Sequence, residues 1–266
     1  MNIKTVNLVY FSPTGTTKKV LETIARPFQV ETVKHFDLTP PGARTQVFEE
    51  MHDELAIIGV PVYGGRLPAD AVQRLRRIKA NSTPAVVVVV YGNRAYEDAL
   101  LELNDLVTAA GFRPVAGGAF IGEHSFADES AFIANGRPDD QDLEKAVEFG
   151  KAVQEKMQGI DRLDETPPLK VPGNFPYKEW NKWPGVSPIT QEGACIRCET
   201  CVAVCPTAAI TMREALITDP DACIVCCACV KACPTGARAV EHPRVKKSQA
   251  WLSTNCRQRK EPEIFL

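Results

Sequence analysis

One cysteine spacing occurs twice in this chain and constrains it more than any other feature. Cys195-x2-Cys198-x2-Cys201-x3-Cys205-Pro206 is followed 28 residues later by Cys223-x2-Cys226-x2-Cys229-x3-Cys233-Pro234. The copies also repeat Ala194/Ala222 and Ile196/Ile224. The x2 steps set three thiols in one loop around a common site, and the fourth, before proline, is carried away from it. Zinc sites use paired cysteines rather than such triplets. None of the ten cysteines precedes Cys195. Cysteines confined to one end of a chain with no export signal read as metal ligation or redox chemistry rather than disulfides.

At 266 residues, 44% of them hydrophobic, the chain is long enough for about two domains. No apolar run approaches the roughly 18 residues of a membrane helix; the longest is Ala85–Val90. Met1-Asn2-Ile3-Lys4 lacks the charged-then-apolar layout of a signal peptide, so the expected compartment is the cytoplasm. A net charge of −2 argues against nucleic acid as the main partner, since phosphate binding normally shows as a basic excess.

Residues 1–158 alternate strand and helix patterns. Apolar, β-branched runs at Thr5–Phe11, Val30–Phe36, Leu55–Val60, Ala85–Tyr91 and Val115–Ile121 predict five strands. Helix patterns lie at Thr16–Arg26, Ala69–Lys79, Ala95–Ala110 and Asp139–Met157. Leu55–Val60 and Val86–Val90 are almost continuously apolar, as expected where helices cover both sheet faces. The order predicts an α/β doubly wound parallel sheet of five strands. Residues 159–190 follow as a spacer with six of the twenty prolines. They also carry Phe175, Tyr177, Trp180 and Trp183, too aromatic for a free linker, so the spacer is expected to pack on one or both domains.

Ser12-Pro13-Thr14-Gly15-Thr16-Thr17 joins the first strand to a helix. Hydroxyls around a glycine at a helix N-terminus suit a phosphate monoester; a plain helix cap is the alternative. No lysine completes a nucleotide-triphosphatase loop. Gly59–Pro68 and Tyr91–Tyr96 follow the third and fourth strands and share that carboxyl edge, where open parallel sheets bind ligands. On these loops residues 1–158 resemble the flavodoxin family. The resemblance implies FMN, with its phosphate on Ser12, Thr14, Gly15, Thr16 and Thr17 and its ring between Tyr63 and Tyr96. Pro61, Gly64, Gly65, Gly92 and Asn93 complete the expected site. A peptide at Gly64-Gly65 could turn its carbonyl toward the flavin; a tight loop needing positive φ is the plainer reading. Arg66, Arg94 and His124 are candidate catalytic groups; the plainer readings are solvated arginines and a hydrogen-bonded structural histidine. One cation ~5 Å from a reduced flavin, at an effective dielectric of ~20, is worth roughly 3 kcal/mol, on the order of 100 mV.

The duplicated cysteine motif resembles the bacterial two-[4Fe-4S] ferredoxins, a small α+β fold. That resemblance implies Cys195, Cys198, Cys201 and Cys233 on one cluster, and Cys223, Cys226, Cys229 and Cys205 on the other. Glycine often follows the second cysteine in the family, but here Glu199 and Cys227 stand there. Cys227 is read as a non-ligand, with a register shift onto it as the alternative; Cys256 lies outside both motifs.

The expected organisation is therefore 1–158 FMN domain, 159–190 spacer, 191–236 two-cluster domain and 237–266 basic segment. That last segment, with seven basic and three acidic side chains, is either solvated or a docking site for an acidic redox partner. The chain reads as an electron-transfer flavoprotein coupling FMN to two [4Fe-4S] clusters and exchanging electrons with a ferredoxin-like partner. Such fusions resemble predicted redox proteins of anaerobic bacteria and archaea. The alternatives are an FMN-dependent reductase of a quinone-like or conjugated acceptor and a flavin-free ferredoxin on an inert scaffold.

Overall fold

The computed structural model describes residues 3–52, 54–180 and 183–266. Met1 and Asn2 of the N-terminal reading, and residues 181 and 182 of the spacer, lie outside the described residues.

Five parallel strands form the first unit: β1 (Thr5–Tyr10), β2 (Thr32–Asp37), β3 (Leu55–Pro61), β4 (Thr83–Tyr91) and β5 (Phe112–Ile121). Helices α1 (Thr16–Ala25), α2 (Ala69–Leu75), α3 (Ala99–Ala109) and α4 (Asp140–Gln158) connect or follow them. The spatial order β2-β1-β3-β4-β5 is the flavodoxin-like one, with its switch point between β1 and β3. Side chains alternate across the sheet. Ile57, Val86 and Val88 face α1 and α4 in one core, while Ile58, Val87 and Val89 face α2 and α3 in the other. That two-sided burial is why β3 and β4 are apolar at nearly every position.

The sheet has six strands rather than the expected five. The far C-terminal strand of the chain, Glu263–Phe265, pairs antiparallel with Ala119, Gly118 and Gly117 of β5. An open edge leaves N–H and C=O groups without partners, and this strand supplies them. Segment 237–266 is thus neither simply solvated nor free: it returns to the first unit through a helix over Pro243–Asn255 and then this strand.

Between these pieces lies the small unit. Its helices α5 (Thr200–Ala203) and α6 (Ala228–Lys231) each end one cysteine triplet. Ile189–Thr190 (β6) pairs antiparallel with Arg238–Ala239 (β9), and Ile210–Met212 (β7) with Leu216–Thr218 (β8). The Pro243–Asn255 helix is α7, and the edge strand is β10. The duplication extends to the backbone: Arg197/Val225, Glu199/Cys227 and Ala208/Gly236 all have positive φ, from 53 to 69°. Glu199 and Cys227, at 56 and 59°, explain why glycine suits the position after the second cysteine.

The spacer packs along α3, as its aromatic content predicts. Asp98 accepts N–H donors from Asn174 and Lys178, and the Tyr177 hydroxyl donates to Asp105. Leu169 and Val171 pack against the core beneath. No helix among the described residues is long and apolar enough to cross a membrane.

Candidate functional site

The loops at the carboxyl ends of β1, β3, β4 and β5 open onto one cavity of about 570 Å³, within the range of small-molecule sites. In the first loop the Ser12 amide donates to Thr39 Oγ1, and Ser12 Oγ accepts the Lys18 amide at 3.1 Å. Gly15 caps α1, directing the start of that helix toward the space bordered by Ser12, Thr14, Thr16 and Thr17. Thr14 and Thr16 hydroxyls lie 3.3 Å apart. Clustered hydroxyls at a helix N-terminus fit a phosphate dianion.

After β3, Tyr63 and Arg66 exchange both backbone hydrogen bonds across Gly64-Gly65, at φ 62 and 87°. This is a tight turn that requires glycine. Pro61, Tyr63 and Gly64 border the cavity. Gly65 instead backs onto Glu97, where a Cβ would collide with the carboxylate. After β4, Gly92 borders the cavity and is side-chain-free because the His124 ring occupies the space of a Cβ.

Three expected site residues have other partners. The Tyr96 hydroxyl donates to Glu263 of β10 at 2.8 Å, and its ring packs on Tyr91, which takes the place on the cavity wall. The pKa of Tyr91 is pushed up to about 12, chiefly by burial and then by Glu263. Asn93 is buried: its Nδ2 donates to the carbonyls of Cys256 and Gln258, and its Oδ1 accepts the Lys260 amide. Arg66 makes a two-pronged ion pair with Glu102 and lies over the Tyr177 ring, away from the cavity. Its charge fastens the spacer to α3. Arg94 does reach the wall, paired with Glu97 at 2.6 Å.

His124 also lines the cavity, and its Nδ1 accepts the Phe126 amide at 3.0 Å. Burial, then the charges of Arg94 and Lys231, lower its pKa to about 4. The imidazole is therefore neutral at pH 7, with its proton on Nε2 as a donor.

The remaining walls come from outside the sheet loops. Trp180 and Trp183 of the spacer and Lys247 and Trp251 of α7 border the cavity, beside Phe126 of the loop after β5. Aromatic density in the spacer was the sequence signal for Trp180 and Trp183. The fourth wall is Cys223-Ile224-Val225 of the small unit.

The cysteines ring two small cavities. One is lined by Cys195, Cys198, Cys201 and Cys233, the other by Cys205, Cys223, Cys226 and Cys229, with the neighbouring Cys227. Among the described residues no three or more His, Cys, Asp or Glu side chains converge as a single ion requires. Four sulfurs around a void, rather than around a point, fit a cluster. Cys205 Sγ accepts the Ala209 amide and Cys223 Sγ the Val225 amide, interactions that favour thiolate sulfur. Burial nevertheless raises the Cys223 pKa to about 11 and pushes Cys226 and Cys227 higher. Cys227 Sγ donates to the Val225 carbonyl.

Arg74, fully buried, donates to the carbonyls of Leu38, Thr39 and Pro40 and, across the junction, to Pro206 beside Cys205. The two units are bolted together at that turn.

Residues 194–249 match the family model of the 4Fe-4S dicluster domain. The chain joins a flavodoxin-like α/β fold to a dicluster ferredoxin domain. Solved structures similar to it include flavodoxin 1 from Bacillus cereus (18% identity, 57% of this chain and 97% of that one, TM-score 0.39). Fusobacterium nucleatum flavodoxin bound to flavin mononucleotide is 17% identical over 58% of this chain and 99% of its own, TM-score 0.39. Rubredoxin oxygen:oxidoreductase from the anaerobe Desulfovibrio gigas is 16% identical over 59% of this chain and 36% of its own, TM-score 0.40. No curated protein sequence matches the chain. The dicluster match takes in all eight motif cysteines and the first half of α7.

Proposed function

We propose that this fusion is an electron-transfer flavoprotein in which FMN, held in the large cavity, is coupled to two [4Fe-4S] clusters. The observation that carries the reading is the shared wall: Cys223 and Ile224 line both a cysteine cavity and the large cavity. When bound, FMN supplies one- or two-electron chemistry and each cluster carries one electron. Ser12, Thr14, Thr16 and Thr17 would hold the phosphate, and Tyr63, Tyr91, Trp180 and Trp251 would enclose the ring. Cys195, Cys198, Cys201 and Cys233 would hold one cluster, and Cys205, Cys223, Cys226 and Cys229 the other. Ile224, which lines both cavities, would stand between the second cluster and the flavin.

The repeat also indicates where a redox partner meets the chain. Ile224 packs against the core of the first unit, whereas its equivalent, Ile196, is 64% exposed beside exposed Cys198. Electrons therefore enter or leave at the Cys195–Cys201 loop. In this scheme 1–158 hold the flavin and 191–236 the clusters. Segments 159–190 and 237–266 strap the two together.

Anaerobically prepared protein is expected to carry about one FMN and about eight irons, with flavin bleaching on reduction of the clusters. Iron near four, zinc in its place, or no flavin absorbance would overturn the reading. Arg94 and His124 at the cavity wall favour one second reading, reduction of a small conjugated acceptor, with His124 Nε2 holding the proton. Turnover of a quinone at a rate matching cluster oxidation would establish it.

A further inference from the structure

We propose that Arg238 is the shared counter-cation of the two clusters and sets the reduction potential of both. This rests on the two-cluster reading above.

Position 238 breaks the symmetry of the repeat inside its small core. Cys205-Pro206-Thr207-Ala208-Ala209-Ile210 corresponds to Cys233-Pro234-Thr235-Gly236-Ala237-Arg238. In the first copy the sixth residue is a buried isoleucine in the apolar core of the small unit. In the second it is an arginine, only 3% exposed. Among the described residues Arg238 is the one residue common to the linings of both cysteine cavities.

A buried charge requires an opposite charge or a full set of hydrogen bonds. Arg238 has neither from the protein. Its Nη1 donates to Thr190 Oγ1 at 2.7 Å and its Nη2 to Thr218 Oγ1 at 2.9 Å, both neutral acceptors. No carboxylate pairs with it among the described residues. Its Nε is buried without a partner. The remaining contact is Nη2 to Cys229 Sγ at 3.7 Å. The other buried arginine at the junction, Arg74, differs: it has Asp70 and four backbone carbonyls.

The negative charge missing from the protein is what iron–sulfur clusters with four thiolate ligands provide. Each is net anionic and gains one further negative charge on reduction. A fixed cation between two such sites stabilises the reduced form of each more than the oxidised form. Removing the charge must therefore lower both potentials, and because a guanidinium does not titrate in this range the effect is independent of pH between 6 and 8.

The test compares wild type, Arg238→Gln and Arg238→Lys in the full chain, purified anaerobically, with iron and FMN analysis and EPR-monitored redox titration. With iron retained, Arg238→Gln is expected to shift the reduction equilibrium of both clusters toward the oxidised form by at least about tenfold, ~59 mV for a one-electron step. Arg238→Lys should recover most of that shift. Potentials within about twofold of wild type in a fully loaded Gln variant, or a shift confined to one cluster, overturn the proposal. If the Gln variant cannot hold iron, the Lys variant decides. A loaded Lys variant supports the charge, whereas loss of iron there too assigns Arg238 to its hydrogen-bond fork and overturns the electrostatic role. Wild-type protein without about eight irons would instead refute the two-cluster reading itself.

Discussion

Replacing Asn93 with alanine should release the C-terminal strap without emptying either cysteine cavity. Three hydrogen bonds disappear: Nδ2 to the carbonyls of Cys256 and Gln258 at 2.7 and 2.8 Å, and the Lys260 amide to Oδ1 at 3.1 Å. At about 1 kcal/mol net each, the tail loses about 3 kcal/mol of attachment, a population of the open state raised roughly a hundredfold. The flanking segments stay anchored by β10 on β5 and by Gln249 of α7 on Phe126 and Asp128, while the Arg137 bond to the Lys260 carbonyl and the Arg259–Asp139 pair must open in wild type and variant alike. Opening is therefore local to residues 256–260. Arg257, Arg259 and Lys260 lie in that stretch and are trypsin sites. Where reclosing is faster than cleavage, proteolysis follows the open population, so limited trypsin digestion should cut Asn93→Ala about a hundred times faster than wild type. Equal cleavage rates would refute the reasoning by showing that the remaining anchors carry the strap. Loss of FMN with the tail still protected would instead return Asn93 to the flavin, as its loop position first suggests.

Thr14→Ala with Thr17→Ala should weaken FMN binding at least about a hundredfold and leave iron content unchanged, since each bond to a charged phosphate is worth ~1.5–3 kcal/mol. Fluorescence titration with FMN checks this, and wild-type affinity would make the loop a plain helix cap. Cys205→Ala should damage the cluster of Cys223, Cys226 and Cys229, and Cys233→Ala the one of Cys195, Cys198 and Cys201. Cluster-resolved EPR showing loss within the mutated motif would reject that exchange of ligands. For His124 the folded pKa, about 4, lies below the ordinary value near 6.5, so between those values the unfolded chain takes up a proton that the folded chain refuses. Stability should fall as pH drops through this window by about 1.4 kcal/mol per unit from this group. His124→Gln should flatten that part of the denaturant-unfolding profile, and an unchanged slope would count against the burial of the ring.

What the sequence determined by itself is what short-range periodicity and spacing encode. Runs such as Leu55–Val60 and Val86–Val90 must be covered on both faces, so the parallel α/β sheet was legible, as was the dicluster domain in its paired cysteine triplets. Glu199 and Cys227 were legible only as departures from glycine. Their positive φ shows the backbone need that glycine ordinarily meets. Tertiary structure alone decided the partners of polar side chains. Tyr96 and Asn93 sit on a loop at the cavity edge, yet their partners are Glu263 and residues 256–260, more than 160 positions away. Arg66 looked available for a ligand until α3 brought Glu102 within 2.7 Å. Trp180 and Trp251 are far from the sheet loops in sequence: Trp180 reaches the cavity wall in a spacer held on α3, and Trp251 on a helix that precedes the β10 edge strand. A hydrogen-bonding group takes whichever partner the chain brings within about 3 Å, and which segment arrives is a property of the whole fold, not of the residue's neighbours in sequence.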